Sequence, residues 1–194
     1  AHDDDASKAD VTSNLRLETH TRFEAADAVV DGEPFEAYLA DRTEYRFVEW
    51  FVGDLLFEIL ETGKQRVLRH LFDAIPRIDR VELRGAADVE DEDGTERSIG
   101  FDIVFRDRMG RPLVVADVND SRDPATDDMM ADLIDGASTV AAGHESLGGA
   151  FLVTSSFFRP DALEVATDET GGGFLSRESR SSFVKLGRKN GYHL

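Results

Sequence analysis

Gly100-Phe101-Asp102-Ile103-Val104-Phe105-Arg106-Asp107-Arg108-Met109-Gly110-Arg111-Pro112-Leu113-Val114-Val115-Ala116-Asp117-Val118-Asn119 is the stretch that decides the fold. Two apolar runs, 101–105 and 113–118, flank a turn signal at Met109-Gly110, which is the pattern of an antiparallel hairpin. Centred on that turn, the register sets Asp102 opposite Asp117. Side chains alternate between faces along a strand, so Asp117 and Asn119 share one face while Val114, Ala116 and Val118 take the other.

Upstream, Asp31-Gly32 marks a turn, and Pro34 suits the first turn of a helix. Residues 35–62 have helical spacing with a break near Arg42-Thr43. Within them Val48, Phe51, Val52, Leu55, Leu56, Ile59 and Leu60 form one apolar stripe, and Gly63 suits the stop. A short helix is expected over 64–74, then a strand over 80–84 and an acidic loop over 88–96. Downstream of the hairpin the pattern predicts a helix over 127–142, a buried strand over 149–154 and a helix over 160–167. Gly171-Gly172-Gly173 interrupts the chain, 174–189 is expected to be helical, and 192–194 to begin a last strand. Residues 11–31 fit strand or helix equally. The order ααβββαβα predicts an α/β fold, a mixed β-sheet flanked by helices. Residues 1–10 read as an acidic flexible tail and 11–194 as a single domain.

Composition bounds the function. The chain has 194 residues and a formal charge of −18, with 24 Asp, 16 Glu, 18 Arg and 4 Lys. Asp-rich, Lys-poor usage of this kind resembles proteins of salt-accumulating haloarchaea. In molar salt the Debye length is roughly 3 Å, so global charge neither favours nor excludes a nucleic-acid partner there. The absence of cysteine excludes disulfides, thiolate metal sites and a Cys nucleophile. The five histidines show no HxxxH or HExxH spacing, so a zinc site has no support. No apolar run reaches the roughly 18–20 residues of a spanning helix, and residues 1–10 lack a secretory signal's pattern, so a cytoplasmic protein with no membrane partner is expected.

The opposed aspartates carry the chemistry. Directly opposed residues have Cβ atoms roughly 5 Å apart, and like charges there are destabilising. A divalent cation such as Mg²⁺ would offset the repulsion by taking carboxylate oxygens. A raised pKa on one partner would do so too. In a chain with 40 acids an opposed pair also arises by chance.

Gly100-Phe101-Asp102-Ile103-Val104-Phe105 followed by Pro112-Leu113-Val114-Val115-Ala116-Asp117-Val118-Asn119 resembles the core of the PD-(D/E)xK, restriction-endonuclease-like superfamily. Gly149-Ala150-Phe151-Leu152-Val153-Thr154-Ser155-Ser156-Phe157-Phe158 with Asp161-Ala162 is similar to the strand and helix of its Mrr-type members, and Phe47-Val48-Glu49 to their first helix. The resemblance covers about residues 45–170. It implies Asp102 and Asp117 as ligands of Mg²⁺, Glu49 as an auxiliary acid, and Ser155 and Ser156 as phosphate contacts at the sheet edge. Asn119 falls where that superfamily has its Lys, and an asparagine can neither carry the charge nor act as a base. The implied function is a degenerate nuclease-fold domain that binds DNA, with weak or absent metal-dependent cleavage. One alternative is an active Mg²⁺-dependent endodeoxyribonuclease with a relocated cation, for which Arg106 on the Asp102 face is the nearest residue. The other is a non-catalytic interaction or self-association module.

Two further features bear on partners. Arg177, Arg180, Lys185, Arg188 and Lys189 stand against one acid, Glu178, in the last 21 residues, a basic stretch suited to backbone phosphates. Trp50 and Phe57 lie one heptad apart, away from the main stripe. They point either to burial under the N-terminal segment or to a homodimer contact.

Overall fold

A computed structural model describes residues 17, 18, 20, 24, 27–90, 93–169 and 182–187. Strands β1 (Val29–Val30) and β2 (Glu33–Pro34) pair around Asp31 and Gly32, both with positive φ, as the turn signal predicts. Helices α1 (Phe35–Asp41), α2 (Thr43–Gly53) and α3 (Leu55–Glu61) follow. The first break falls at Arg42, where it was expected, and a second falls at Asp54 beside Gly53, a poor helix former. The next helix, α4 (Arg69–Ala74), is shorter than the expected 64–74 and runs into a 3₁₀ turn over Ile75–Arg77.

Then come β3 (Ile78–Glu90), β4 (Glu96–Asp107), β5 (Pro112–Asn119), α5 (Asp127–Gly143), β6 (Gly149–Thr154), α6 (Pro160–Glu169) and β7 (Ser182–Gly187). The last five strands form one mixed sheet in the order β3-β4-β5-β6-β7, antiparallel from β3 to β5 and parallel from β5 to β7. The α/β class and the mixed, helix-flanked sheet are as the sequence predicts.

Two apolar layers hold the sheet. On one face Phe47, Phe51, Leu55 and Leu71 from α2 to α4 pack on Ile103, Phe105, Val114, Ala116 and Phe151. The rings of Phe51 and Phe105 approach to 4.2 Å between centroids. On the other face Met130, Leu133, Ile134 and Ala137 of α5 pack on Val104, Val115, Ala150 and Leu152. All six residues of β6 are buried, as expected for a parallel strand covered on both faces.

Two expectations are corrected, and of the two alternatives for Trp50 burial is the one found. The helix expected over 174–189 contains β7 instead, paired from Gly149↔Ser182 to Thr154↔Gly187. A buried β6 needs a hydrogen-bonding neighbour on its second edge, and that demand outweighs local helical spacing. The acidic loop expected over 88–96 is largely strand, since the β3–β4 pairing continues to Glu90↔Glu96. Ala87 and Val89 give this arm its apolar contacts with α5, and His144 Nε2 lies 2.6 Å from the Asp88 carbonyl oxygen. Trp50 lies within the first core layer, 7% exposed, with its indole N–H donating to Glu58 Oε1 at 3.0 Å. It is therefore not open to a second copy, and Phe57 is half-buried. No helix among the described residues is long and apolar enough to cross a membrane. The expected tail at 1–10 and the strand start at 192–194 lie outside the described residues.

Two devices shape the central hairpins. Asp107, buried beside the β4–β5 turn, accepts the backbone N–H groups of Met109 and Arg111 and pairs with the Arg111 and Arg77 guanidinium groups. Burial acts to raise its pKa, but the Arg111 and Met109 bonds outweigh this and hold it below the usual aspartate value. In β3 the regular strand conformation is interrupted at Arg84-Gly85, ahead of the segment whose Ala87 and Val89 pack with α5. Arg84 has φ +55°, and a Cβ added at Gly85 would lie 2.9 Å from Val104 Cγ2 and 3.1 Å from Glu82 Cβ.

Gly85→Ala is therefore expected to destabilise the fold by about 1–3 kcal/mol, because buried Val104 has no free direction in which to yield. Gly100→Ala, whose added Cβ meets nothing within 4 Å, is expected to leave the denaturation midpoint nearly unchanged. Denaturant titration in molar KCl compares the two.

Candidate functional site

Asp102 and Asp117 lie in step with Val104 and Val115, on the face covered by α5. The observed pairs Ile103↔Ala116, Val104↔Val115 and Phe105↔Val114 are those of the expected register. The regular β4–β5 ladder ends at Ile103↔Ala116. One step further, each aspartate serves the opposite backbone. The Asp102 N–H donates to Asp117 Oδ1 at 3.2 Å, and the Val118 N–H donates to Asp102 Oδ2 at 2.8 Å. The two carboxylates thus replace backbone rungs at the point where the strands part.

Their electrostatics follow from this placement. Burial pushes the Asp117 pKa up to about 6, and the charges of Asp102 and Asp132 push in the same direction against the Asp102 N–H bond. Asp132, exposed on α5, is an acid that the sequence reading passed over. The signal was there: Asp128, Asp132 and Asp135 recur at helical spacing after β5. Among the described residues no three His, Cys, Asp or Glu side chains form a group able to hold a metal ion, so the candidate ligand set is the Asp102–Asp117 pair.

The remaining expected residues fall elsewhere. Glu49 is exposed on α2, whose apolar side packs on the opposite face of the sheet, and is not brought to the aspartates. Asn119 is 6% exposed and tied into the loop after β5. Its Nδ2 donates to the Asp123 carbonyl at 2.9 Å, and its Oδ1 accepts from the Ser121 hydroxyl at 2.6 Å. Ser155 N–H donates to the Asn119 carbonyl, and the Ser156 hydroxyl donates to the Arg122 carbonyl. These serines brace the strand ends at the carboxyl edge of β5 and β6.

Arg106, 12% exposed, is not a free cation: it pairs with Glu82 at 2.8 Å and donates to the Gly110 and Ala86 carbonyls. Asp120 is turned to the other helix layer, where it accepts from the Thr43 hydroxyl at 2.7 Å. Of the basic stretch, Lys185 takes a strand position in β7 opposite Leu152. Arg177, Arg180, Arg188 and Lys189 lie outside the described residues.

The raised pKa has a pH signature. An unfolded aspartate ionises near pH 3.9, so between about pH 4 and pH 6 the folded state retains a proton that the unfolded chain releases. Stability contributed by protonated Asp117 is complete below that window and lost as pH rises through it. Asp117→Asn is expected to be more stable than the parent protein at about pH 7.5, with the difference closing below about pH 4. Thermal melts across this range measure it.

The family described as Domain of unknown function (DUF7527) matches residues 1–194. No curated protein and no solved structure matches the chain.

Proposed function

We propose that this chain, which belongs to the DUF7527 family, is a restriction-endonuclease-like domain that binds nucleic acid and cleaves it weakly or not at all. The observation that carries this reading is the Asp102–Asp117 pair, held on one face where β4 and β5 part. Paired acids on adjacent strands suit a divalent cation, and Asp102 and Asp117 would hold Mg²⁺ with water filling the rest of its shell. When bound, the cation would polarise a phosphoryl oxygen.

The chain's own residues account for the weakness. At the position expected to carry a positive side chain, Asn119 spends its amide on the 121–123 loop. Arg106 is held by Glu82 and two carbonyls, which leaves it unable to reach a phosphate without breaking those bonds. Asp132 adds negative charge beside Asp117. Such a site attracts a cation more readily than it activates a water molecule. Affinity for nucleic acid is assigned to the C-terminal cations Arg177, Arg180, Lys185, Arg188 and Lys189.

Incubation of supercoiled plasmid and linear DNA with Mg²⁺ or Mn²⁺ in molar KCl tests this. The expected result is slow or undetectable cleavage, with any cleavage abolished in Asp102→Ala and Asp117→Ala while DNA binding persists. Neutralising Arg177, Arg180 and Arg188 is expected to weaken binding and flatten its salt dependence by about one unit per lost phosphate contact. Rapid cleavage that needs both aspartates would replace this reading with an active endonuclease. Absence of DNA binding at every salt concentration, together with a concentration-dependent dimer, would replace it with an interaction module.

A further inference from the structure

The sheet lacks backbone rungs along one row that runs across three strands. In the β3–β4 ladder the pairs Leu83↔Ile103 and Gly85↔Phe101 are present, and Arg84 and Asp102 lie unpaired between them. In the β4–β5 ladder Asp102 and Asp117 lie one step beyond the last pair, Ile103↔Ala116. Arg84, Asp102 and Asp117 therefore occupy one row across β3, β4 and β5.

Arg84 is an unusual residue for its place. Its φ of +55° is in the left-handed region, where glycine, asparagine and aspartate are the residues at ease. Among the described residues the other non-glycine with positive φ is Asp31, in the tight β1–β2 turn, where aspartate is common. Glycine or asparagine would supply this backbone conformation with less strain. An arginine there brings a guanidinium and nothing that the conformation requires.

That guanidinium is also unspent. Arg42, Arg46, Arg69, Arg77, Arg80, Arg106, Arg111 and Arg159 all form ion pairs. Arg84 is exposed and forms no ion pair among the described residues, and neither do the exposed Arg66, Arg97, Arg108 and Arg122; of these, Arg84 shares the row of the two aspartates. An unpaired cation in the row of two carboxylates is placed to meet an anion brought to that site.

Resting on the nuclease-fold reading above, we infer that Arg84 is the cation of this site and contacts a backbone phosphate of bound nucleic acid. It takes the place that Asn119 leaves without charge. Backbone strain is retained at Arg84 because the row needs a positive side chain between the arm and the acid pair.

The test compares Arg84→Gly with Arg108→Gly on double-stranded DNA over a KCl series, each variant also being melted. Arg108 is exposed in the β4–β5 turn, forms no ion pair among the described residues, and lies at the far end of β4 from Asp102. Arg84→Gly is expected to melt no lower than the parent, since glycine relieves the strain, yet to bind DNA about tenfold more weakly with a salt slope smaller by about one. Arg108→Gly is expected to bind as the parent does. Parent-like binding by Arg84→Gly, or equal losses in both variants, would overturn the assignment and leave the nuclease-fold reading standing. If the parent protein itself binds no DNA at any salt concentration, that reading fails and the role of Arg84 fails with it.

Discussion

A backbone N–H inside a sheet must find an acceptor, and at the parting of β4 and β5 the acceptors are two aspartate side chains. Asp117 takes the Asp102 N–H, and Asp102 takes the Val118 N–H. This exchange lets the strands separate without leaving buried donors unsatisfied. It also brings two carboxylates together on the α5 face, where burial and the charge of Asp132 make full ionisation costly. The strand geometry and the acid chemistry therefore share one cause.

On either side of this opening the chain is tightly tied. Thr43 at the start of α2 holds Asp120 just beyond β5, so one helix layer is fastened to the strand end. Asn119, Ser121, Ser155 and Ser156 knit the β5 and β6 ends into one hydrogen-bonded platform. Across the sheet, the β3–β4 arm beyond Arg84-Gly85 packs Ala87 and Val89 with α5. The acid pair thus sits between the hydrogen-bonded ends of β5 and β6 and the arm that packs with α5.

Much of this was legible because it rests on periodicity. The runs on either side of Met109-Gly110 set the register that opposes Asp102 to Asp117, and helical spacing located the stripe from Val48 to Leu60. Longer-range demands were not legible. The 182–187 segment has a local pattern compatible with a helix, and β6 imposes strand structure on it from about thirty residues away. Positive φ at Arg84 leaves no mark in a sequence, where the neighbouring Gly85 would be the natural choice; Gly85 is instead required by the closeness of Val104. The engagement of Asn119 and Arg106 was equally hidden, because spacing shows which residue types are near a site and not which bonds have already claimed them.

The position of β6 has a consequence for how this chain stays dispersed. Gly149-Ala150-Phe151-Leu152-Val153-Thr154 carries no charge and no proline, which are the usual guards against intermolecular pairing. Its edge is covered by β7, contributed from beyond the glycine triplet. A chain cut at that triplet would offer β6 as a bare template for fibrillar association. β7 is, in that sense, a guard against aggregation.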